Sequence, residues 1–254
     1  MSAQYSLCVV VPVYNHEHAI GDMVSGILAH GLHCLLVDDG SKASCAAELD
    51  RLAAVHSGHV TLLRLPVNQG KGRAMLAGFK AAFDAGYTHA LQIDADGQHD
   101  PADIPKFMAQ SAARPAHIIN GCPQYDESVP RARLYGRYAT HIWVWINTLS
   151  FAIRDSMCGY RIYPLAPVVA LIGKEPIGAR MDFDTEIIVR LFWRGVPVIN
   201  QLTRVRYPQD GVSHFRVWAD NARISWMHTR LFFGMLRRLP VLLFRKLAHR
   251  ECCT

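Results

Sequence analysis

The amino-acid sequence predicts an α/β protein built on a doubly wound, mostly parallel sheet. Short apolar runs, of the kind found in buried strands, alternate with helical stretches along the first half of the chain. Two of these runs end in acidic, glycine-containing turns. Strands separated by helices pair in parallel, and ligands of such sheets bind beyond the carboxyl ends of the strands. We therefore expect the acidic turns to lie at a ligand site.

The predicted elements follow one another in a regular order. Asp100 and Pro101 indicate a helix start, because aspartate caps a helix and proline fits its first turn. Strands are expected at residues 5–12, 34–37, 60–65, 90–93, 117–120 and 197–207. Helices are expected at residues 19–30, 44–56, 70–85, 101–113, 131–153 and 182–194, with a loop over the site at 123–130. Residues 218–238 are amphipathic, and a last short helix is expected to begin at Pro240.

Positive charge is concentrated in the C-terminal part of the chain. The 254 residues carry a formal net charge of +6, but ten Lys and Arg residues lie between positions 204 and 250 against only Asp210 and Asp220. A basic segment can bind nucleic acid, anionic lipid headgroups or a phosphorylated substrate. Interleaved Trp, Phe, Leu and Met favour a membrane surface, so we expect no nucleic-acid partner. We separate amphipathic C-terminal helices at 216–254 from a main domain at 1–215.

The cysteines and the N-terminal sequence predict the compartment. Seven cysteines occur without CxxC spacing, and their odd number gives no disulfide framework, which indicates a reducing environment. No basic region precedes a removable apolar core at the N-terminus, and no uninterrupted apolar stretch reaches about 18 residues. We expect a cytoplasmic protein that lies peripherally on the inner face of the cytoplasmic membrane.

Asp94 and Asp96 follow a predicted strand in the sequence LQIDADGQH. Acids two residues apart at a strand end point the same way, so both carboxylates can bind one Mg²⁺ or Mn²⁺ ion, which then holds a diphosphate. The side-chain carbonyl of Gln98 is a candidate third ligand. The alternative is that these acids only cap the helix that follows. A second acidic turn, LLVDDGS at residues 35–41, favours a nucleotide-sugar site.

Three further turns supply candidate contacts for the nucleotide. Asp39 can accept hydrogen bonds from a base or ribose, or it can stabilise its own turn. Pro12 and Tyr14, in the turn that ends at Asn15, are expected to shape a pocket for the base. Lys71 lies in the sequence NQGKG at a helix start, where a phosphate is favoured, although helix-capping glycines are an equally simple explanation.

The later motifs offer candidate groups for the acceptor and for proton transfer. Arg161 in CGYR can hold a phosphate or carboxylate through a bidentate contact, or it can bridge two segments of the protein. Asp184 and Glu186 in MDFDTEI are candidates for a general base, but acids are also expected at a helix start, and at this spacing only one faces the site. His214 can contact the diphosphate or the acceptor, or it can be a surface residue. The thirteen histidines show no zinc-binding spacing.

Taken together, these motifs resemble glycosyltransferase family 2, in particular its dolichyl- or polyprenyl-phosphate mannosyltransferase-like branch. The resemblance covers roughly residues 6–215 and rests on the order of PVYN, VDDGS, NQGKG, DADGQH and CGYR. It implies a GT-A fold (Rossmann-like), a nucleotide-diphosphate sugar donor, a lipid or lipid-phosphate acceptor, a Mg²⁺ or Mn²⁺ cofactor and inversion at the anomeric carbon. The late turn and the following helix resemble members from bacterial glycolipid or polyene-type lipid biosynthesis.

The resemblance also implies a role for each matching residue. Pro12, Tyr14, Val37 and Asp39 would hold the nucleoside, and Asp94, Ala95 and Asp96 would meet the diphosphate and sugar. Asp94, Asp96 and Gln98 would lie near the metal, and Asp96 would be essential for transfer. Arg161 would face the acceptor.

The chain departs from the family pattern at several positions. His16 replaces the usual Glu after the first turn, residues 121–123 contain no Arg, and Pro208 and His214 stand near the late Arg and Lys positions. The resemblance therefore leaves the donor base and the acceptor open. A nucleotidyltransferase and a non-catalytic sugar-nucleotide-binding protein are the alternative functions.

Overall fold

The computed structural model describes residues 4–124, 131–205 and 216–251. Its strands are β1 (Leu7–Val13), β2 (His33–Asp38), β3 (Val60–Arg64), β4 (His89–Gln92), β5 (Ile118–Gln124), β6 (Arg161–Pro164) and β7 (Val198–Arg204). Its α-helices are α1 (Ile20–Leu28), α2 (Ala43–Val55), α3 (Lys71–Asp84), α4 (Ile104–Ala113), α5 (Arg131–Thr148), α6 (Leu165–Ile172), α7 (Phe183–Trp193) and α8 (Val217–Glu251). A single 3₁₀ turn, Pro101–Asp103, precedes α4.

The seven described strands form one mixed sheet in the order β3-β2-β1-β4-β6-β5-β7. All pairings are parallel except those of β6, which runs antiparallel to both β4 and β5. The predicted doubly wound, mostly parallel α/β fold is confirmed. The order reverses between β1 and β4, since β2 and β3 lie on one side of β1 and the later strands on the other. A crevice at such a reversal is where open α/β sheets bind ligands.

Helices cover both faces of the sheet. Side chains alternate along β1 and β2, so that Val10 and Val37 face α3 while Val9 and Leu36 belong to the core cluster on the other face. Because both faces of these strands are buried, their sequences are continuous apolar runs, and such runs predict buried strands.

Several elements differ from the predictions. The strand β6 and the helix α6 were not expected, because β6 is short and begins with a charged residue, Arg161. Helix α5 ends at Thr148 because Leu149 adopts a positive φ of 51°, which stops the helix. The short helix expected from Pro240 is wrong, since Pro240 lies inside the continuous helix α8. Most of the loop predicted at 123–130 lies outside the described residues.

Helix α8 packs on the protein along one side only. Met227, Leu231 and Met235 are buried against the core, whereas Trp226 and Phe233 are 64% and 59% exposed. None of the described helices combines the length and the apolar character that crossing a membrane requires.

His228 lies in the contact between α5 and α8. It is 5% exposed and stacks on Trp143 with ring centroids 6.0 Å apart, and its Nδ1 is 3.4 Å from Asn147 Nδ2. Burial lowers the pKa of His228 to about 4. The folded protein therefore holds this imidazole in its neutral form at a pH where the unfolded chain protonates it.

We expect His228→Leu to make the protein less sensitive to acid. Between pH 7 and pH 5 the unfolded chain gains a proton at His228, with its ordinary pKa of about 6.5, and the folded protein does not, so the wild type loses about 2 kcal/mol that the variant keeps. The measurement is the fall in Tm between the two pH values. The exposed His59→Leu serves as control and should behave as the wild type; an equal fall in all three proteins would contradict the prediction.

Candidate active site

The carboxyl ends of β1, β2 and β4 lie side by side and bring three of the predicted turns together. Pro12 and Val37 are register partners in neighbouring strands, and both are buried. The turn after β1 is hydrogen-bonded to the turn after β2. Asn15 N donates to Ser41 Oγ (3.2 Å), and Asn15 Oδ1 accepts from Lys42 N (2.8 Å). Tyr14 is half-buried beside them.

Asp39 organises the loop that precedes α3. Its Oδ1 accepts from Gln69 N (2.7 Å), and its Oδ2 accepts from Gly70 N (2.8 Å) and Asn68 Nδ2 (3.0 Å). Burial raises the pKa of this carboxyl group, and the two backbone donors oppose that effect. Asp38 holds its own turn through Ser41 N (2.8 Å), with Arg64 Nε on its other oxygen (2.8 Å).

Lys71 joins two carboxylates at the centre of the edge. Its Nζ lies 2.7 Å from Asp94 Oδ2 and 2.6 Å from Asp184 Oδ2. The side chain is only 16% exposed, and burial alone would lower its pKa, but the charges of Asp184 and Asp94 outweigh burial and raise it. Asp184 Oδ1 accepts from Gln92 Nε2 (2.7 Å), so both of its oxygens are engaged. Lys71 therefore presents a permanent positive charge here.

The acidic pair after β4 has unused binding capacity. Asp94 Oδ1 is buried and has no hydrogen-bond partner. Asp96 Oδ1 accepts from the backbone N–H of Gln98 (3.0 Å), and burial, followed by the negative charge of Asp94, raises the pKa of Asp96. A divalent cation would satisfy the unpartnered oxygen and offset the repulsion between the two carboxylates.

The chemistry of these residues fits Mg²⁺ or Mn²⁺ with an incomplete protein shell. Within the described ranges, no three His, Cys, Asp or Glu side chains are grouped so as to hold a metal. Mg²⁺ commonly binds through one or two carboxylates and completes its shell with phosphate oxygens and water. Asp94 and Asp96, with Gln98 next to them, fit that pattern.

Three residues that sequence reasoning missed support this arrangement. A Cβ at Gly159 would lie 2.0 Å from Asp94 Oδ2, so the absence of a side chain there makes room for Asp94. Gln92 orients Asp184, and Tyr163 lies behind Gln92 with its hydroxyl donating to Gln92 Oε1 (3.4 Å). The only sequence signal for them was the glycine in CGYR.

The structure corrects the acceptor contact expected for Arg161, because the whole side chain is buried and saturated. Nε donates to Asn120 Oδ1 (2.7 Å), and Nη1 donates to Tyr163 OH (2.8 Å) and to the carbonyl of Asp184 (2.9 Å). Nη2 donates to the carbonyls of Ser156 (3.2 Å) and Cys158 (3.3 Å). All five N–H groups are used within the protein, so Arg161 is a bridge between β5, β6 and α7.

The structure also corrects the candidate base Glu186. Its side chain is fully buried, and its oxygens are engaged by Arg190, Arg230 and the backbone N–H of Gly178. Asp184 is the member of the pair that faces the site. His214 lies outside the described residues.

Comparison with known proteins agrees with this geometry. Residues 8–178 match the sequence model of "Glycosyl transferase family 2". The polyprenol monophosphomannose synthase of Mycolicibacterium smegmatis is 32% identical over 103 residues, which are 39% of this chain and 38% of that protein. The UDP-N-acetylglucosamine–dolichyl-phosphate N-acetylglucosaminyltransferase of Methanococcus voltae is 32% identical over 128 residues, 46% of this chain and 48% of that one. In both cases the part of the relative that this chain matches is less than half of the relative's length.

A solved structure extends the likeness of fold to nearly the whole chain. The mannosyltransferase PcManGT from Pyrobaculum calidifontis, solved in complex with GDP-Man and Mn²⁺, superposes with a TM-score of 0.57 at 15% identity, covering 98% of this chain and 76% of that one. The likeness bears on the fold alone and agrees with a GT-A architecture. Because the family match runs from β1 to the turn before α7, this chain belongs to glycosyl transferase family 2 and is a glycosyltransferase.

Proposed function

We propose that the protein transfers a sugar, with inversion, from a nucleotide-diphosphate sugar to a lipid-phosphate acceptor, using Mg²⁺ or Mn²⁺. One observation carries the proposal: the two oxygens of the Asp94 carboxylate are in different states. Oδ1 has no hydrogen-bond partner, and Oδ2 contacts the ammonium group of Lys71. Together they offer one place for a divalent cation and one for a phosphate. Both lie at the carboxyl edge where open α/β sheets bind nucleotides.

The donor is proposed to extend along this edge from β2 towards β4. The nucleoside would lie against the first two turns, formed by Pro12, Tyr14, Asn15, Val37 and Asp39. The diphosphate and sugar would lie over Lys71, Asp94, Ala95 and Asp96. The order of these groups along the edge matches the order of the parts of a nucleotide-diphosphate sugar, which supports the assignment.

The cation would be held by Asp94 and Asp96, with Gln98 beside them. When bound, it would supply positive charge to the diphosphate as that group leaves. Lys71 adds a second positive charge on the other side of Asp94, and Asp184 and Gln92 hold the ammonium group in place before the donor binds. A fixed charge of this kind needs no reorganisation during the reaction.

An acceptor phosphate fits the site better than an acceptor hydroxyl. A hydroxyl would require a general base, whereas a phosphate is already ionised. Glu186 is fully buried and paired with two arginines, and both oxygens of Asp184 are engaged by Lys71 and Gln92. The two relatives described above are named for polyprenol monophosphomannose and dolichyl-phosphate products or acceptors, which supports the same choice. His214 stays a candidate for the acceptor contact, and the bacterial glycolipid or polyene-type pathway stays a prediction.

The C-terminal helix is proposed to hold the enzyme on the inner face of the cytoplasmic membrane. The outward side of α8 carries large apolar side chains that are all exposed: Trp218, Trp226, Phe233, Leu236, Leu243, Phe244 and Leu247. The exposed Arg237 lies beside this apolar stripe, one helical turn from Phe233 and two turns from Phe244. Cationic side chains beside an exposed apolar stripe are typical of helices that lie in the interface of an anionic membrane.

We expect Asp96→Asn to reduce sugar transfer by roughly 10²–10³-fold while the protein stays folded, because the variant loses a charge that holds the cation. Asparagine can still accept the Gln98 N–H and removes the repulsion with Asp94, so the Tm should not fall. The measurement is transfer of labelled sugar from nucleotide sugars with Mn²⁺. Asp100→Asn is the matched control, since asparagine also caps a helix, and should retain activity.

Two results would contradict this assignment. Undiminished transfer by Asp96→Asn at limiting Mn²⁺ would exclude the proposed metal site. Release of diphosphate by the wild type from a nucleoside triphosphate and a sugar 1-phosphate, without sugar transfer from a nucleotide sugar, would indicate a nucleotidyltransferase.

We expect the double variant Trp226→Ser/Phe233→Ser to bind vesicles that contain anionic lipids at least roughly tenfold more weakly than the wild type. Each large apolar side chain that enters the membrane contributes about 1.5–3 kcal/mol. Vesicle flotation of the full chain measures the difference. Val55→Ser/Val67→Ser removes two equally exposed apolar side chains elsewhere and is the control. Equal flotation of the two double variants would contradict the assigned surface.

A further inference from the structure

We infer that Glu186 and Arg230 form a positioning link through which the C-terminal helix α8 sets the geometry of the loop that binds the donor. The inference rests on the proposed function only in calling residues 68–73 the donor loop. The link runs from α8 through a carboxylate of α7 to the turn at residues 177–182, and from that turn to the start of α3.

The first step is the burial of Glu186 between two arginines. Arg190 donates to its Oε1 from Nε (2.9 Å) and from Nη2 (2.7 Å). Arg230, which comes from α8, donates to Oε2 from Nη2 (3.1 Å). Glu186 is fully buried, whereas Arg230 is about one third exposed. A carboxylate in this position is stabilised only as long as its partners stay in place.

The second step joins Glu186 to a turn. The same oxygen that accepts from Arg230 also accepts from the backbone N–H of Gly178 (2.8 Å). Glu186 Oε2 thus holds α8 and the turn at 177–182 at one point. A shift of that oxygen moves the turn.

The third step is the direct backbone contact between this turn and the start of α3. Arg73 N donates to the carbonyl of Ala179 (3.2 Å). A Cβ at Gly72 would lie 2.3 Å from the carbonyl oxygen of Gly178, and a Cβ at Gly70 would lie 2.5 Å from that of Ala179. The two segments touch without space for a side chain, so movement of the turn is passed to the residues on either side of Lys71.

A second contact from the same turn reaches the nucleoside end of the donor loop. Arg180 Nη1 donates to Asn68 Oδ1 (3.2 Å), and Asn68 Nδ2 donates to Asp39 Oδ2 (3.0 Å). The turn therefore contacts the loop both before and after Lys71. A helix whose outer face is exposed and apolar is in this way connected to the part of the site that would grip the diphosphate.

The test compares Arg230→Met with Arg230→Lys and with Arg223→Met in the full chain. Arg223 lies one heptad earlier on the same helix and pairs with Asp220, so it matches Arg230 in type and exposure but does not reach Glu186. Backbone amide hydrogen exchange without donor, and the Kd for nucleotide sugars in the presence of Mn²⁺, are measured for each protein. The exchange readout needs neither substrate nor metal.

For Arg230→Met we expect faster exchange confined to residues 68–73 and 176–182, with a Kd for the donor raised roughly tenfold and a smaller change in kcat. Arg230→Lys should restore most of both, and Arg223→Met should match the wild type. Exchange that rises equally in every strand, or an Arg230→Met variant that behaves as Arg223→Met does, would overturn the inference. Local changes in exchange in a protein that binds no nucleotide sugar would support the link and overturn the proposed function instead.

Discussion

The site depends on one ammonium group held between two carboxylates. Lys71 begins α3, Asp94 follows β4, and Asp184 lies in the first turn of α7, so this contact joins three elements at the carboxyl edge of the sheet. Little water reaches the group, and a lysine in such surroundings stays charged only because both carboxylates compensate it. Removing either acid would leave this buried ammonium group with only one carboxylate to compensate it, and we expect that loss to destabilise the protein.

Side chains of the antiparallel strand β6 hold the partners of Lys71 in place. Tyr163 in β6 reaches Gln92, and Gln92 fixes the oxygen of Asp184 that Lys71 does not use. Arg161 in the same strand fixes the backbone of Asp184. This short buried strand lies between β4 and β5 and runs antiparallel to both. The strand that departs from the parallel pattern is thus the one that orients the site.

The sequence was sufficient to locate the edge but not the direction of every side chain on it. The acids after β2 and β4 were predicted to meet because the carboxyl ends of parallel strands meet, and that rule depends only on topology. The choice between Asp184 and Glu186 depended on partners far away in sequence. Lys71 turns one towards the site, and Arg190 and Arg230 hold the other in the interior. No local pattern encodes those partners.

Two errors have the same origin. Arg161 was expected to face the acceptor because of the family resemblance and its capacity for a bidentate contact, with a bridge between two segments as the alternative. Here Asn120, Tyr163 and three carbonyls supply an acceptor for each of its N–H groups, so it is the bridge. Pro240 was expected to start a helix because proline interrupts the hydrogen bonds of a helix interior. It lies on the exposed side of α8, and the opposite side of that helix packs on the protein. Tertiary contacts outweighed the local preference in both cases.

The central claim is that the charges around Lys71 receive the diphosphate of the donor. A crystal structure of the protein with a non-reacting nucleotide-diphosphate sugar and Mn²⁺ tests it most directly. The account predicts diphosphate oxygens in contact with Lys71 Nζ and Mn²⁺ bound by Asp94 Oδ1 and Asp96. A nucleotide bound elsewhere, with Lys71 still spanning Asp94 and Asp184 and no metal on the acidic pair, would contradict it.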